Sequence, residues 1–182
     1  MALRSTENLM SEHKLILRAL YVLKAISDRI EANKEFHSDD AETVLDFLRK
    51  FGDEHHQCKE ESILFPALRK VQSGTIEPAL HKVLFEHEQE RSLVQGLRDA
   101  LRTKQGSDFV LYANQLAEIM DDHIYKEDHV LFDLVDRVIN PEEDLCLELE
   151  LVAFGKGARA EVHLQLLHSL NLLEQKYLGK AA

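Results

Sequence analysis

Apolar residues recur at three- and four-residue steps through four long stretches of the chain, the signature of amphipathic helices. In the first, about Glu7 to Ala32, Leu9, Met10, His13, Ile16, Leu17 and Leu20 form one stripe. The segment "EANKEFHSDD" breaks it, with Ser38 or Asp39 placed to cap the next helix and Asp40 and Glu42 suited to its positive end. That second helix is expected from about Asp39 to Val71, bending at Pro66, whose missing N–H removes a backbone hydrogen bond. After "QSGTIEP", with Pro78 in a first turn, a third helix carries Leu80, Val83, Leu84, His87, Val94 and Leu101 on one side. It ends near Lys104, with Gly106 as a natural stop. The fourth stretch, about Asp108 to Asn140, aligns Phe109, Tyr112, Leu116, Ile119, Met120, His123, Glu127, Val130, Leu131 and Leu134.

Pro141 then opens "PEEDLCLELELVAF", acidic at its start, and "GKGA" separates it from a last amphipathic helix, about Arg159 to Leu178. Short connections make neighbouring helices antiparallel. The expected fold is all-α: an up-down four-helix bundle over residues 1–140, with a C-terminal helical extension over 141–182 packed on it. The apolar residues of the extension suit covering one end of the bundle, with pairing to a second copy or a protein partner as the alternative.

Polar residues interrupt the apolar stripes in a repeated way. "HHQCKEESILF" and "HIYKEDHVLF", aligned on His56 and His123, both read H-x-x-K-E-[ED]-x-[IV]-L-F. A histidine and a glutamate four apart project about 40° apart on a helix, hence from one face. An ionised carboxylate on an inward face is costly unless it is paired or bound to a cation. The first and third helices add "SEHK" and "FEHE", each with its histidine on the apolar stripe. Two similar helical hairpins thus each send one His and one His/Glu pair to a shared centre. The inward groups are His13, His56, Glu60, His87, His123 and Glu127. Four imidazoles and two carboxylates suit two adjacent metal ions. With both glutamates bridging, each ion receives two nitrogens and two oxygens and keeps open positions. This donor set fits two iron ions, with zinc or manganese as substitutes.

Composition narrows the function classes. A net charge of −11 without a basic run excludes a typical nucleic-acid surface. No apolar run approaches the roughly 20 residues that cross a bilayer, and the start of the chain lacks a secretory signal pattern, so the expected setting is cytoplasmic. Cys58 and Cys146 are read as free thiols. With 45% apolar and 30% charged residues the chain can bury a substantial core.

The order H…HxxxE…H…HxxxE, with "HHQCKEESILFPAL" and "EHEQERSLV", resembles the hemerythrin-like, HHE cation-binding domains over about Glu7 to Ile139. It is similar to the branch with two HxxxE motifs. The resemblance implies a non-haem di-iron centre bridged by the two glutamates, reacting with oxygen or related small molecules. Oxygen-carrying hemerythrins have HxxxH on the third helix and HxxxxD on the fourth. Here Arg91 stands at the former position and Glu127 follows His123 by four residues. One imidazole fewer weakens a reading as oxygen storage and favours sensing or redox reactivity.

The expected function is therefore a di-iron protein that binds or senses oxygen, peroxide or nitric oxide. The alternatives are a redox enzyme such as one that disproportionates peroxide, a metal-binding or storage protein, and a metal-free helical interaction module. His55 is read as lining the site or orienting a ligand. Arg91, inward by periodicity, is read as a carboxylate partner, with steering of an anionic or peroxide-like ligand as the alternative. Tyr21, Tyr112 and Tyr125 are read as core or rim aromatics, and Glu12 and Glu86 as outer-face charges or caps for a ligand histidine. His37, His81 and His129 are placed at the surface, and His163 and His168 on different faces of the last helix.

Overall fold

The computed structural model describes residues 4–32, 37–71 and 74–179, and every regular element among them is helical. The first helix, α1, spans Arg4–Glu31. The second begins as α2, Ser38–Phe47, and runs unbroken through two wider π-helical segments, π1 (Leu48–Gln57) and π2 (Glu60–Leu64), into α3, Phe65–Lys70. After the turn come α4, Ile76–Arg102, and α5, Gly106–Lys126, which continues through π3, Glu127–Leu131, into α6, Phe132–Val138. Two further helices follow: α7, Pro141–Phe154, and α8, Ala158–Leu178. None of the described helices is long and apolar enough to cross a membrane.

The ends of these elements correct several expectations. His37, not Ser38 or Asp39, occupies the capping position of α2, and no side-chain cap bond forms there. Gly106 opens α5 rather than stopping α4. The left-handed residue in that connection is Lys104, with φ 56°. Gly106 meets a different demand, since a Cβ there would lie 3.0 Å from Ile30 Cγ2. Pro78 does fall in the first turn of α4.

The disturbance expected from Pro66 has another origin. The N–H of Phe65 reaches back five residues to the Glu60 carbonyl, and that of Phe132 does the same to the Glu127 carbonyl, where no proline follows. The widened turn therefore belongs to the repeated motif and not to proline. Such single-turn widenings cluster at functional positions. The extra residue per turn also shifts the inward face. Val130, expected inside, is 62% exposed, while Leu131, Phe132 and Val135 face the core.

The apolar residues collect into two clusters. One joins Ile16 to Ile26, Val44 to Phe51, Leu97, Leu101, Phe109 to Ile124, Leu170 and Leu173. The other joins Leu9, Leu64, Phe65, Leu68, Ile76, Leu80, Val83, Leu131, Phe132, Val135, Leu147 and Leu151. Helices α1 and α4 each run from one cluster to the other, as do the continuous second helix and the continuous helix formed by α5, π3 and α6. Leu147 and Leu151 bring α7 into the second cluster, and Leu170 and Leu173 bring α8 into the first. Arg18 of α1 holds α8 through Glu174, with Nε–Oε1 at 2.9 Å and a second guanidinium contact at 2.6 Å.

Helix α7 also caps α1. The first N–H groups of a helix lack intrahelical partners and favour a negative charge. The backbone N–H groups of Arg4 and Ser5 donate to the Asp144 carboxylate at 3.1 Å, and the Ser5 hydroxyl donates to it at 2.5 Å. The start of α7 is itself closed by Asn140 and Glu143, which cap each other's backbone. Asp144→Ala strips three donors of their partner and is expected to cost about 1–3 kcal/mol. A thermal melt should show a midpoint lower by several degrees; an unchanged midpoint would mean that α7 does not anchor α1.

Candidate metal centre

Between the two apolar clusters lies a polar layer. His13 follows Leu9 and precedes Ile16 on α1, and His87 follows Val83 on α4. His56 and Glu60 stand between Phe51 and Leu64, and His123 and Glu127 between Met120 and Leu131. All six are buried, Glu60, His87 and Glu127 completely.

The layer brings the six side chains together. His13, His56, Glu60 and Glu127 each present a ligand atom within 4.8 Å of the others, and so do His87, His123 and Glu127. Glu127 Oε2 faces His13 Nε2 at 3.1 Å and His123 Nε2 at 3.3 Å. Glu60 faces His56 Nε2 through Oε1 at 3.7 Å and His87 Nε2 through Oε2 at 3.4 Å. Each glutamate thus touches one histidine of each group. Among the described residues no hydrogen-bond partner satisfies His13 Nε2, His56 Nε2, His87 Nε2 or any of the four carboxylate oxygens. Buried polar atoms are almost always paired, so this concentration of unmet donors and acceptors marks a place built for a cation. The chemistry of the set fits the group, because neutral imidazole nitrogens and carboxylate oxygens are ligands for first-row transition metals.

The other side of every imidazole is held. His56 Nδ1 donates to Glu12 at 3.0 Å, His87 Nδ1 to Glu61 at 2.8 Å, His123 Nδ1 to Glu86 at 3.0 Å, and His13 Nδ1 to Asp128 at 2.7 Å. With one proton fixed on Nδ1, Nε2 faces the centre and offers its lone pair once any second proton has left. Carboxylates in this role orient the ring and raise its basicity. The four bonds form a closed circuit: α1 to π1, π2 to α4, α4 to α5, and π3 back to α1.

Most of the repeated motif is now accounted for. Its lysine neutralises the carboxylate behind the histidine, Lys59 on Glu12 at 2.5 Å and Lys126 on Glu86 at 2.6 Å. Its second acid, Glu61 or Asp128, holds the histidine of the opposite hairpin. Its leucine, Leu64 or Leu131, is buried in the second apolar cluster. Its phenylalanine stacks on that same opposite histidine, Phe132 on His13 with centroids 5.6 Å apart and Phe65 on His87 at 6.2 Å. Of this motif, the sequence alone points only to the first histidine and the glutamate four residues on. Glu12 and Glu86, left between two readings, hold ligand-position histidines and are buried.

The two halves differ in what surrounds them. His55 is buried beside His56 and reaches Glu12 Oε1 at 3.0 Å; the widened π1 turn lets consecutive histidines both point inward. Its ring packs against Phe154 and His163, 4.0 Å centroid to centroid for the latter, and a Cβ on Gly155 would crowd it at 3.2 Å. Helices α7 and α8 therefore cover this half, and His163, assigned no role from sequence, joins its wall. Arg91 is not inward. It is bound by Asp53, Glu61 and Glu88 at 2.6–2.8 Å, and Glu90 takes the inner face instead, 2% exposed. Its spacing of three from His87 was the available signal. Tyr21 and Tyr125 are exposed and Tyr112 half-buried; His81 is exposed against Glu77, and His129 is exposed. Cys58 and Cys146 are free.

Without a cation the layer balances its charge with protons. Burial opposes charging His13 and His87, yet the carboxylates around them outweigh it and raise both to about 9. Burial likewise opposes the charge on His123, and Glu127 and Glu86 overcome it, moving His123 in the same direction. Burial also works against ionised Glu127, but the facing His123 and His13 hold its carboxyl well below the usual range. Raised histidines stabilise the fold fully below the ordinary value of 6.5 and cease to do so as pH passes about 9. The melting midpoint of chelator-treated protein is therefore expected to fall between those values. Metal uptake should release protons at pH 7, read as a buffer-dependent binding heat, and weaken as pH drops. Uptake without proton release would contradict this charge balance.

Comparison with protein families matches residues 4–135 to the hemerythrin HHE cation binding domain. Neither curated proteins nor solved structures gave a match. The match and the buried His/Glu cluster point to metal binding, and the chain belongs to the hemerythrin HHE cation-binding domain family.

Proposed function

We propose that His13, His56, Glu60, His87, His123 and Glu127 hold two iron ions in a non-haem centre that binds or senses a small oxidant: oxygen, peroxide or nitric oxide. The setting is an antiparallel up-down four-helix bundle over residues 1–140, of the branch with two HxxxE motifs, against which residues 141–182 pack. The observation that carries the reading is the set of buried Nε2 and carboxylate atoms that face one another without hydrogen-bond partners, each imidazole held from behind by an acid.

When bound, an iron pair supplies open coordination positions and electrons that can be shared with a small ligand. The chain's own contribution is to hold four imidazoles in one tautomer, to place Glu60 and Glu127 between the two groups of histidines, and to keep water out through the apolar clusters on either side. The two carboxylates supply negative charge at the centre and the imidazoles nitrogen donors, a set suited to retaining a cation. With no imidazole at position 91 the proposed set has one histidine ligand fewer and so more open coordination, and Arg91 serves as the anchor of Glu61 instead.

Iron-loaded protein titrated with nitric oxide, azide or peroxide is expected to develop new near-ultraviolet and visible absorption in proportion to the iron present. Glu127→Ala, which removes the oxygen facing both His13 and His123, should abolish the paired site and these bands. Steady release of oxygen from peroxide, lost in the same variant, would turn the reading to an enzyme. Iron well beyond two per chain would turn it to storage.

A further inference from the structure

A cavity of about 200 Å³ opens between π1 and α4 and ends against the polar layer. Its walls include Leu48, Gly52, Val94 and Met120. Gln57 and Glu90, 4% and 2% exposed, are the buried polar residues of its lining. Gln57 follows His56 directly, Glu90 stands one turn beyond His87, and Met120 one turn before His123. The cavity thus approaches three of the four histidines from one side, the side that α7 and α8 do not cover.

Gly52 creates the opening. It is buried, it lies inside a helix, where glycine is disfavoured, and its φ is not in the left-handed region. A Cβ at this position would nevertheless meet nothing within 4 Å, so a side chain here would project into open space. At the inner end the Gln57 amide donates to Glu90 Oε2 at 2.5 Å and closes the way to the centre. Gln57 Oε1 and Glu90 Oε1 are buried without a hydrogen-bond partner among the described residues, Glu90 Oε1 lying 3.9 Å from His123 Nδ1, so a single hydrogen bond latches the two side chains together.

The mouth is lined by arginines, yet their charge is spent. Arg91 is bound by Asp53, Glu61 and Glu88, Arg98 by Glu42 and Asp46, and Arg49 by Glu54. A neutralised rim and a largely apolar wall offer little to an anion and nothing repulsive to an uncharged molecule. The volume is several times that of one water, whose share of the liquid is about 30 Å³.

We propose that this cavity is the entry path by which an uncharged diatomic molecule reaches the metal pair, and that the Gln57–Glu90 hydrogen bond is its inner gate. The proposal rests on the reading of the six residues as a metal centre. Gly52→Leu fills the path from π1, and Val94→Phe fills it from α4. Nitric oxide association with iron-loaded protein, followed by stopped-flow absorbance, should slow at least about tenfold in either variant, with iron content and melting midpoint retained. Gln57→Ala, which unlatches the gate, should accelerate it. A second readout needs no ligand chemistry: xenon-pressurised crystals should show xenon beside Gly52 in the unsubstituted protein and none there in Gly52→Leu. Unchanged association rates in fully loaded, folded variants would overturn the path and leave the metal centre standing. Failure of the unsubstituted protein to load paired iron would overturn the centre itself, and is seen before any rate is compared.

Discussion

Holding two carboxylates out of water costs several kcal/mol each unless compensating charge stands beside them. Glu60 and Glu127 are fully buried, between two apolar clusters, on helices that could have carried leucine at both positions. Much else in the structure follows from that constraint. Four imidazoles face the two carboxylates, four acids face the imidazoles, and Lys59 and Lys126 face two of those acids. Charge alternates outward in shells, so each of these buried groups faces one of opposite charge or a hydrogen-bonding partner. The circuit of His–carboxylate bonds ties the four helical stretches to one another at the level where the apolar core is interrupted. The polar layer is thereby both the costliest part of the fold and the part that sets which helix lies beside which.

The near-twofold repetition explains why one motif occurs twice. The proposed centre for two ions would need matching donors from opposite sides, and the repeated hairpins bring them together with each copy completing the other. Glu61 orients a histidine of the second hairpin, and Asp128 one of the first. Departures from the symmetry then acquire meaning. On one half, His55, Phe154 and His163 close over Glu12. Toward π1 and α4, Gly52 leaves space and Glu90 faces Gln57. One side is covered by α7 and α8 and another carries the cavity, an asymmetry that the proposed small-ligand role would use.

The helical class and the six inward residues were legible because burial imposes a period on sequence, and a histidine within an apolar stripe is conspicuous against it. The supporting acids were harder to see. Glu12, Glu61, Glu86 and Asp128 lie beside inward residues, at positions where a charged side chain is ordinarily solvated, and only the fold shows that each reaches a neighbouring helix. Their signal was the repetition itself, since K-E-[ED] and E-H recur in both halves. The widened turns left a trace as well. Upstream residues point to His55 as the inward histidine and downstream ones to His56, a conflict that a regular helix cannot resolve and a π-helical turn does. The same slip moved Val130 to the surface. Gly106 and Pro66 misled because each has a common local role that the tertiary context replaced, contact with Ile30 in one case and a turn set by Glu60 in the other.

The central claim is that the buried layer is a site for two ions. The most direct test is a crystal structure of iron-loaded protein with anomalous data collected at the iron edge, alongside elemental analysis of the same preparation. The account predicts two iron peaks per chain, enclosed by the Nε2 atoms of His13, His56, His87 and His123 and flanked by the carboxylates of Glu60 and Glu127. A single peak, or iron confined to surface carboxylates with the layer held together by protons alone, would contradict it.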